Sequence, residues 1–280
     1  MMARRRTDPI WIFASLALFA GCGTTGKQDR APKRPPDVSS VPDAVPRAEP
    51  RSKRGNPSSY EVFGKRYYVM DSASGHVERG VASWYGEKFH GRLTSSGEPY
   101  DMYLMTAAHK TLPLPAYAQV TNLDNGRTVV VKINDRGPFV GNRVIDLSYA
   151  AAARLDMLRK GTAMVEIRVI EPGDKKAGRK TPAPPAPSAL AVPGSGAGSS
   201  AAGEPMFVQL GAFAEDRNAQ SLAQRLRQQG VEDVLVREDQ SNGRRLYRVR
   251  VGPVSSVEYF DWVVQQAAML GINDAHLTPE

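Results

Sequence analysis

The sequence predicts a multi-domain chain: a small mainly-β barrel, then an α+β module of βαββαβ order, joined by chain without a core of its own. Three observations predict it. Of the 21 prolines, 13 fall within 23–58 and 171–203, where Pro, Ser, Gly, Lys and Arg leave too little apolar area to offset chain entropy. Between those stretches, 59–170 shows period-two apolar alternation broken by glycine-bearing turns. After them, 204–280 switches between strand and helix periodicity in a fixed order.

The N-terminus reads as a targeting segment. Arg4, Arg5 and Arg6 precede an apolar run from Ile10 to Ala20, which ends at Ala20-Gly21-Cys22. This is a secretory layout, too short for a bilayer span of about 20 residues, and 1–21 is assigned as the signal peptide. Cys22 is the one cysteine of the chain, which excludes an intramolecular disulfide and a multi-cysteine zinc site. With only four scattered histidines, no metal and no cofactor is expected. The stretch resembles a bacterial lipobox, with Phe19 where leucine is usual and the leucine at Leu18 instead. The resemblance implies lipidation of Cys22 and, with Gly23 rather than aspartate following, anchoring to the outer membrane facing the periplasm. Residues 22–58 then read as a disordered tether. Residues 171–203 read as a disordered linker, stiffer around Pro184-Pro185 and looser around Gly194-Ser195-Gly196.

The net charge of +8 says little about the folded parts. In 23–58 eight basic residues stand against four acids, whereas in 204–280 eight arginines stand against eleven acids. A basic excess confined largely to tail and linkers argues against a nucleic-acid partner.

Within the first module, 60–70 reads as a hairpin about Gly64 and Lys65, the core of an N-terminal extension over 59–79. The barrel proper, 80–170, alternates at 79–84, 117–122, 128–134, 143–147 and 164–170, with a tight turn at Asp124-Asn125-Gly126 and helical spacing at 148–158. Three polar residues exceed what folding needs. Glu98 stands between Gly97 and Pro99 in a rigid loop, where it is either a held carboxylate or a solvated loop acid. Asp135 follows the strand Val129 to Ile133, where it either faces a site or caps the turn with Arg136 as a surface partner. His109 lies between them, and a lone histidine is more often structural than catalytic.

In the second module, 206–213 alternates, with Met206, Val208, Leu210 and Ala212 expected on the core face and Phe207, Gln209, Gly211 and Phe213 on the other. A helix over 216–229 stops at Gly230, strands follow at 233–238 and 244–251 about Asn242-Gly243, and a helix at 255–269 precedes a strand at 275–278. Both helices belong on one face of an antiparallel sheet. The open face should display Phe207, Gln209, Phe213, Arg248 and Arg250. Such a face could read as an RNA platform, but the acidic balance makes it a poor one.

The segments Gly80 to Gly86, Ser96-Gly97-Glu98, Thr106 to His109, Leu112-Pro113, Val120-Thr121-Asn122, Asn134 to Phe139 and Arg143 to Ser148 together resemble the double-psi β-barrel of the rare lipoprotein A family. That resemblance implies a peptidoglycan lytic transglycosylase, a lyase that cleaves MurNAc–GlcNAc bonds without water and leaves 1,6-anhydro-MurNAc ends. It implies Glu98, Asp135 and His109 as the catalytic residues. The segments Phe207 to Phe213 and Tyr247 to Pro253 resemble the SPOR domain, assigned to 204–280 with its RNP-like order. That resemblance implies binding of glycan strands lacking stem peptides through Phe207, Gln209, Phe213 and Arg248, and enrichment at the division septum. The competing expectation is a noncatalytic, expansin-like barrel that grips cell-wall polysaccharide.

Overall fold

The computed structural model describes residues 31–32, 36–173, 205–241 and 243–279; the signal segment, Cys22 and nearly all of the linker lie outside the described residues. The hairpin extension forms as β1 (Ser59–Val62) and β2 (Lys65–Tyr68), turning on Phe63 and Gly64, both at positive φ. Two consecutive residues with positive φ give the twist that matches a two-residue hairpin. The turn therefore sits one residue earlier than the sequence suggested.

Six strands close the barrel: β3 (Val77–Tyr85), β4 (Thr106–His109), β5 (Ala116–Asn122), β6 (Thr128–Asp135), β7 (Arg143–Ser148) and β8 (Ala163–Val169). Their order around the wall is β3-β7-β4-β6-β5-β8. Two pairings, β3 with β7 and β4 with β6, are parallel and the rest antiparallel, the crossed connectivity of a double-psi barrel. Alternation drives it: Val129, Val131 and Ile133 of β6 and Ala118 and Val120 of β5 are buried in one core with Ile145, Leu147 and Ile167. A short helix, α1 (Tyr149–Arg154), is capped by Ser148, whose hydroxyl accepts from the Ala151 N–H at 3.2 Å. It closes one end with Ala150, Ala151 and Ala152 fully buried.

Residues 36–58 correct the expectation of a tether running to 58. They lie along the barrel wall: Val38 joins the core, Ala44 N–H donates to the Val130 carbonyl at 3.0 Å, and Arg154 Nη1 meets Asp43 Oδ1 at 2.9 Å. Further on, Ser52 N–H donates to the Leu114 carbonyl at 2.8 Å. A Pro-rich segment has no need of its own core when an existing wall satisfies its backbone.

The second module is a four-stranded antiparallel sheet of order β10-β11-β9-β12. Its strands are β9 (Met206–Phe213), β10 (Val234–Ser241), β11 (Arg244–Val251) and β12 (His276–Pro279), with α2 (Asp216–Gln228) and α3 (Val257–Met269) between them. Ala219, Leu222, Ala223 and Leu226 of α2 and Phe260 and Val263 of α3 share a core with Val208, Val249 and Val251, so both helices cover one sheet face. Gly230, at φ +83°, ends the α2 segment. Among the described residues no helix is long and apolar enough to cross a membrane.

Phe213 departs from its expected face. The pairing of β11 with β9 shifts between Val249 and Arg250, so Val251 faces Val208 but Val249 faces Gly211 and Tyr247 faces Phe213. A bulge adds one residue and inverts the alternation beyond it. Phe213 consequently packs with Tyr247 against the core, its ring lying over Gly211, where an added Cβ would meet it at 2.9 Å.

Candidate active site

The site begins with a clasp between the 94–98 loop and the end of β6. Gly97, at φ +94°, turns the loop so tightly that Thr94 N–H donates to the Glu98 carbonyl at 2.8 Å, and Ser96 N–H reaches the Asn134 carbonyl at 3.2 Å. Side chains lock it in both directions. Lys132 Nζ donates to Glu98 Oε1 at 2.8 Å and Asn134 Nδ2 to Glu98 Oε2 at 2.9 Å. In return, Asp135 Oδ1 accepts from Ser95 N–H at 2.8 Å, Ser95 Oγ at 2.6 Å and Arg136 N–H at 2.7 Å. Strict alternation would send Asn134 and Asp135 to opposite sides of the wall. A register shift between Ala107 and Ala108 of β4 places the extra residue on β6, and both side chains reach the same loop.

The two carboxylates thus share one clasp but are held differently. Both Glu98 oxygens are occupied, whereas the bonds to Asp135 all converge on Oδ1. Partial burial opposes charge on Glu98, but the bonds from Asn134 and Lys132 outweigh it and hold its carboxyl below the ordinary range. Across the wall, Ala108 pairs with Asp135 on one side and Asp146 on the other, and the Ser83 hydroxyl donates to Asp146 Oδ1. Tyr85, stacked on Tyr100 at 4.1 Å, lies close to both aspartates. Burial first, then Tyr100 and those negative charges, hold its phenol well above its usual value.

His109 is not delivered to the pair. Its side chain is 3% exposed, and its Nε2 lies 3.0 Å from Glu78 Oε2. Its Nδ1 accepts from the Thr111 and Leu112 N–H groups at 3.2 and 3.1 Å, so the ring proton sits on Nε2 and is donated to Glu78. The ring is engaged by Glu78 and backbone N–H groups rather than by Glu98 or Asp135, and its link to that pair is its carbonyl, which accepts from Arg136 Nη1 at 3.1 Å. His76 Nε2 meets the same Glu78 oxygen at 3.1 Å. Burial opposes charge on Glu78, yet the bonds from His109 and His76 bring its carboxyl down to about 2. Burial lowers the His109 pKa, against the pull of Glu78. His76, Glu78 and His109 bring ligand-type atoms within 4.8 Å of one another. The tautomer argues against a cation there: the Nε2 lone pair a metal needs is taken by the proton.

In the second module, Gln209 and Arg248 lie on the sheet face away from the helices, but the expected display of Phe207 is corrected: its side chain is buried at 4% exposure, and Gln209 is itself largely buried. Arg248 bonds Asp239 Oδ2 at 2.8 Å through Nε and Gln209 Oε1 at 3.2 Å through Nη1. Gln209 Nε2 stands 3.4 Å from His276 Nε2, so a polar row crosses all four strands. Phe213 is excluded from that row by the bulge.

Sequence reasoning missed Lys132, Asn134's grip on Glu98, Ser95, Glu78 and the Ser83–Asp146 pair. A lysine inside Val129-Val130-Val131-Lys132-Ile133 was a usable signal, because a charge in an apolar strand needs a partner. Nothing in the spacing ties Glu78 to a histidine 31 residues later.

A family model described as lytic transglycolase matches residues 77–167, and one described as SPOR domain matches residues 202–274. A curated protein of Pseudomonas aeruginosa named endolytic peptidoglycan transglycosylase RlpA is 41% identical over 269 residues, covering 82% of this chain and 78% of its own. The chain belongs to the RlpA family. An RlpA of Vibrio cholerae under the same name is 51% identical over 167 residues, 58% of this chain and 63% of its own. Among solved structures, the SPOR domain of RlpA from Pseudomonas aeruginosa aligns with 27% of this chain and 99% of its own at 26% identity, with a TM-score of 0.24. The span matched by the barrel model holds Glu98, Asp135, Lys132 and Glu78 but stops short of the 36–58 segment.

Proposed function

We propose that this RlpA-family chain is an endolytic peptidoglycan lytic transglycosylase that cleaves MurNAc–GlcNAc bonds in glycan strands lacking stem peptides and leaves 1,6-anhydro-MurNAc ends. The observation that carries the reading is the clasped carboxylate pair: Glu98 with both oxygens engaged, Asp135 anchored through Oδ1 alone.

That asymmetry divides the roles. Asp135 Oδ2 is the oxygen left to exchange a proton with substrate, while Glu98 supplies a fixed negative charge for an oxocarbenium-like transition state. Asp135 then donates its proton to the departing GlcNAc O4 as the C1–O bond breaks. The resulting carboxylate takes the proton of the MurNAc C6 hydroxyl, O6 bonds to C1, and the acid is restored without water. His109 acts at one remove, through the carbonyl that holds Arg136.

The second module supplies binding. Arg248 and Gln209 are assigned to glycan contact, which carries the chain to the septum, and a lipid on Cys22 holds it to the outer membrane facing the periplasm. Fractionation of a Cys22→Ala variant tests the anchor: it should appear in the soluble periplasmic fraction, and retention with the outer membrane together with lipid would refute the assignment. The function itself is tested by digesting denuded glycan with the purified chain and weighing the products; binding without any cleavage would establish the noncatalytic alternative.

A further inference from the structure

Residues 49–56 lie outside the barrel and outside the span its family model matches, yet they touch the clasp at four places. Glu49 Oε2 accepts from Lys132 Nζ at 3.1 Å, so this lysine is shared between Glu49 and Glu98. Glu49 is itself held by the Tyr117 hydroxyl. Ser52 Oγ donates to the Ser96 carbonyl at 3.0 Å, inside the Glu98 loop. The Gly55 carbonyl accepts from Arg136 Nε at 2.9 Å, and this glycine packs so closely that an added Cβ would stand 2.7 Å from the Ser95 carbonyl. Asn56 Oδ1 accepts from Arg136 Nη2 at 3.2 Å and from Leu114 N–H at 2.8 Å, while its Nδ2 donates to the Leu114 carbonyl at 2.8 Å. Arg136 directly follows Asp135, and its N–H is one of the three donors on Asp135 Oδ1.

We propose that this N-terminal strap is a working part of the active site: Glu49 competes with Glu98 for Lys132, and Ser52, Gly55 and Asn56 position the Glu98 loop and Arg136. The inference rests on the reading of Glu98 and Asp135 as the catalytic pair. A strap that merely covered apolar surface would have no reason to place a second carboxylate on the lysine that serves Glu98. The charged and titratable groups gathered here are Lys132 from β6, Glu49 with its neighbours Arg47 and Tyr117, and Arg54, whose side chain lies 3.3 Å from the Cβ position of Gly97. Glu49 opposes ionisation of Glu98, both by its own charge and by sharing the lysine.

Two measurements on the full chain test this. The first is the titration of the Glu98 side-chain carboxyl by carbon NMR in wild type and Glu49→Gln. Removing the competing charge should move the Glu98 midpoint down by about 0.5 pH unit; an unchanged or raised midpoint overturns the proposal. The second is turnover on denuded glycan. Asn56→Ala should lower kcat about tenfold with KM changed less than about threefold, and Asn56→Asp, which keeps the acceptor for Arg136, should recover most of it. A raised KM at unchanged kcat would make the strap a glycan grip and refute positioning. If wild type makes no anhydro product while the NMR shift appears, the catalytic reading fails and the coupling of the strap to Glu98 stands.

Discussion

Glu98 and Glu78 are two glutamates on one barrel, each held by hydrogen bonds below the ordinary carboxyl range, yet one side chain is 45% exposed and the other 33%. The partners make the larger difference. Glu98 is held by an ammonium and an amide in a loop that meets solvent; Glu78 is held by two imidazoles, one of them sealed. The lesson is that a charged cluster becomes chemistry only where a substrate can reach it and at least one oxygen is left to react. Asp135 keeps Oδ2 beyond its three bonds, whereas in the Glu78–His109 pair the buried imidazole has both ring nitrogens engaged and Glu78 spends Oε2 on two histidines.

The contrast predicts that lost chemistry and lost stability fall on different residues. Glu98→Gln should cut formation of anhydro products by about 10² to 10³-fold while the urea midpoint barely moves, because glutamine still accepts from Lys132. If the variant keeps wild-type turnover, Glu98 is only a structural tie. His109→Ala should show the reverse. It strands Glu78 without its buried donor and costs on the order of 2 kcal/mol in denaturant unfolding, with turnover of the folded fraction kept within about tenfold. Complete loss of turnover in a fully folded His109→Ala protein would return the imidazole to the reaction.

Acid should act through the same pair. Glu78 has its folded pKa depressed to about 2, so its stabilisation is present above its ordinary value and is lost as pH falls toward 2. His109 is held neutral by burial, so an unfolded chain that protonates at the ordinary imidazole pKa draws the fold apart as pH drops below about 6.5. Both terms have the same sign, and stability should rise with pH from about 3 to 7. In a Glu78→Gln variant the steeper portion, below about 4.5, should flatten. An unaltered profile would show that other groups govern acid unfolding.

The second module offers a smaller version of the contrast. Phe213→Ala removes a side chain packed on the core and should cost about 2 kcal/mol in the unfolding of that module. Gln209→Ala or Arg248→Ala should leave melting nearly unchanged and weaken binding of denuded glycan by about three- to tenfold. Affinity retained in both polar variants would move the glycan surface elsewhere.

The legibility of the sequence followed the same physical divide. Long alternating runs such as 128–135 and 116–122, and the helix of 216–228, were readable because burial imposes their period. The strand Thr106–His109 was not, since four residues with two alanines carry no period. The bulge opposite Val249 is a register event between two strands, and neither strand alone announces that Phe213 will turn inward. The strap over 36–58 was invisible for another reason: its composition says only that it cannot fold alone, not that a barrel wall will hold it. Of the site, turn chemistry and position left the loop acid and the strand-end acid open between a held carboxylate and a bland one, and the family resemblance assigned them, whereas their clasp, the shared lysine and the sealing of His109 are long-range contacts with no local signature.

The central claim is that Asp135 transfers the proton while Glu98 holds the charge. The most direct measurement is the mass spectrum of denuded glycan digested by the full chain and by its Asp135→Asn variant, which keeps an Oδ1 to accept from Ser95 and Arg136. The account predicts 1,6-anhydro-MurNAc ends from the wild type and, from a variant that still binds glycan and melts as wild type does, at least about 10²-fold less product. Anhydro ends formed by Asp135→Asn at the wild-type rate, or reducing ends from the wild type, would contradict it.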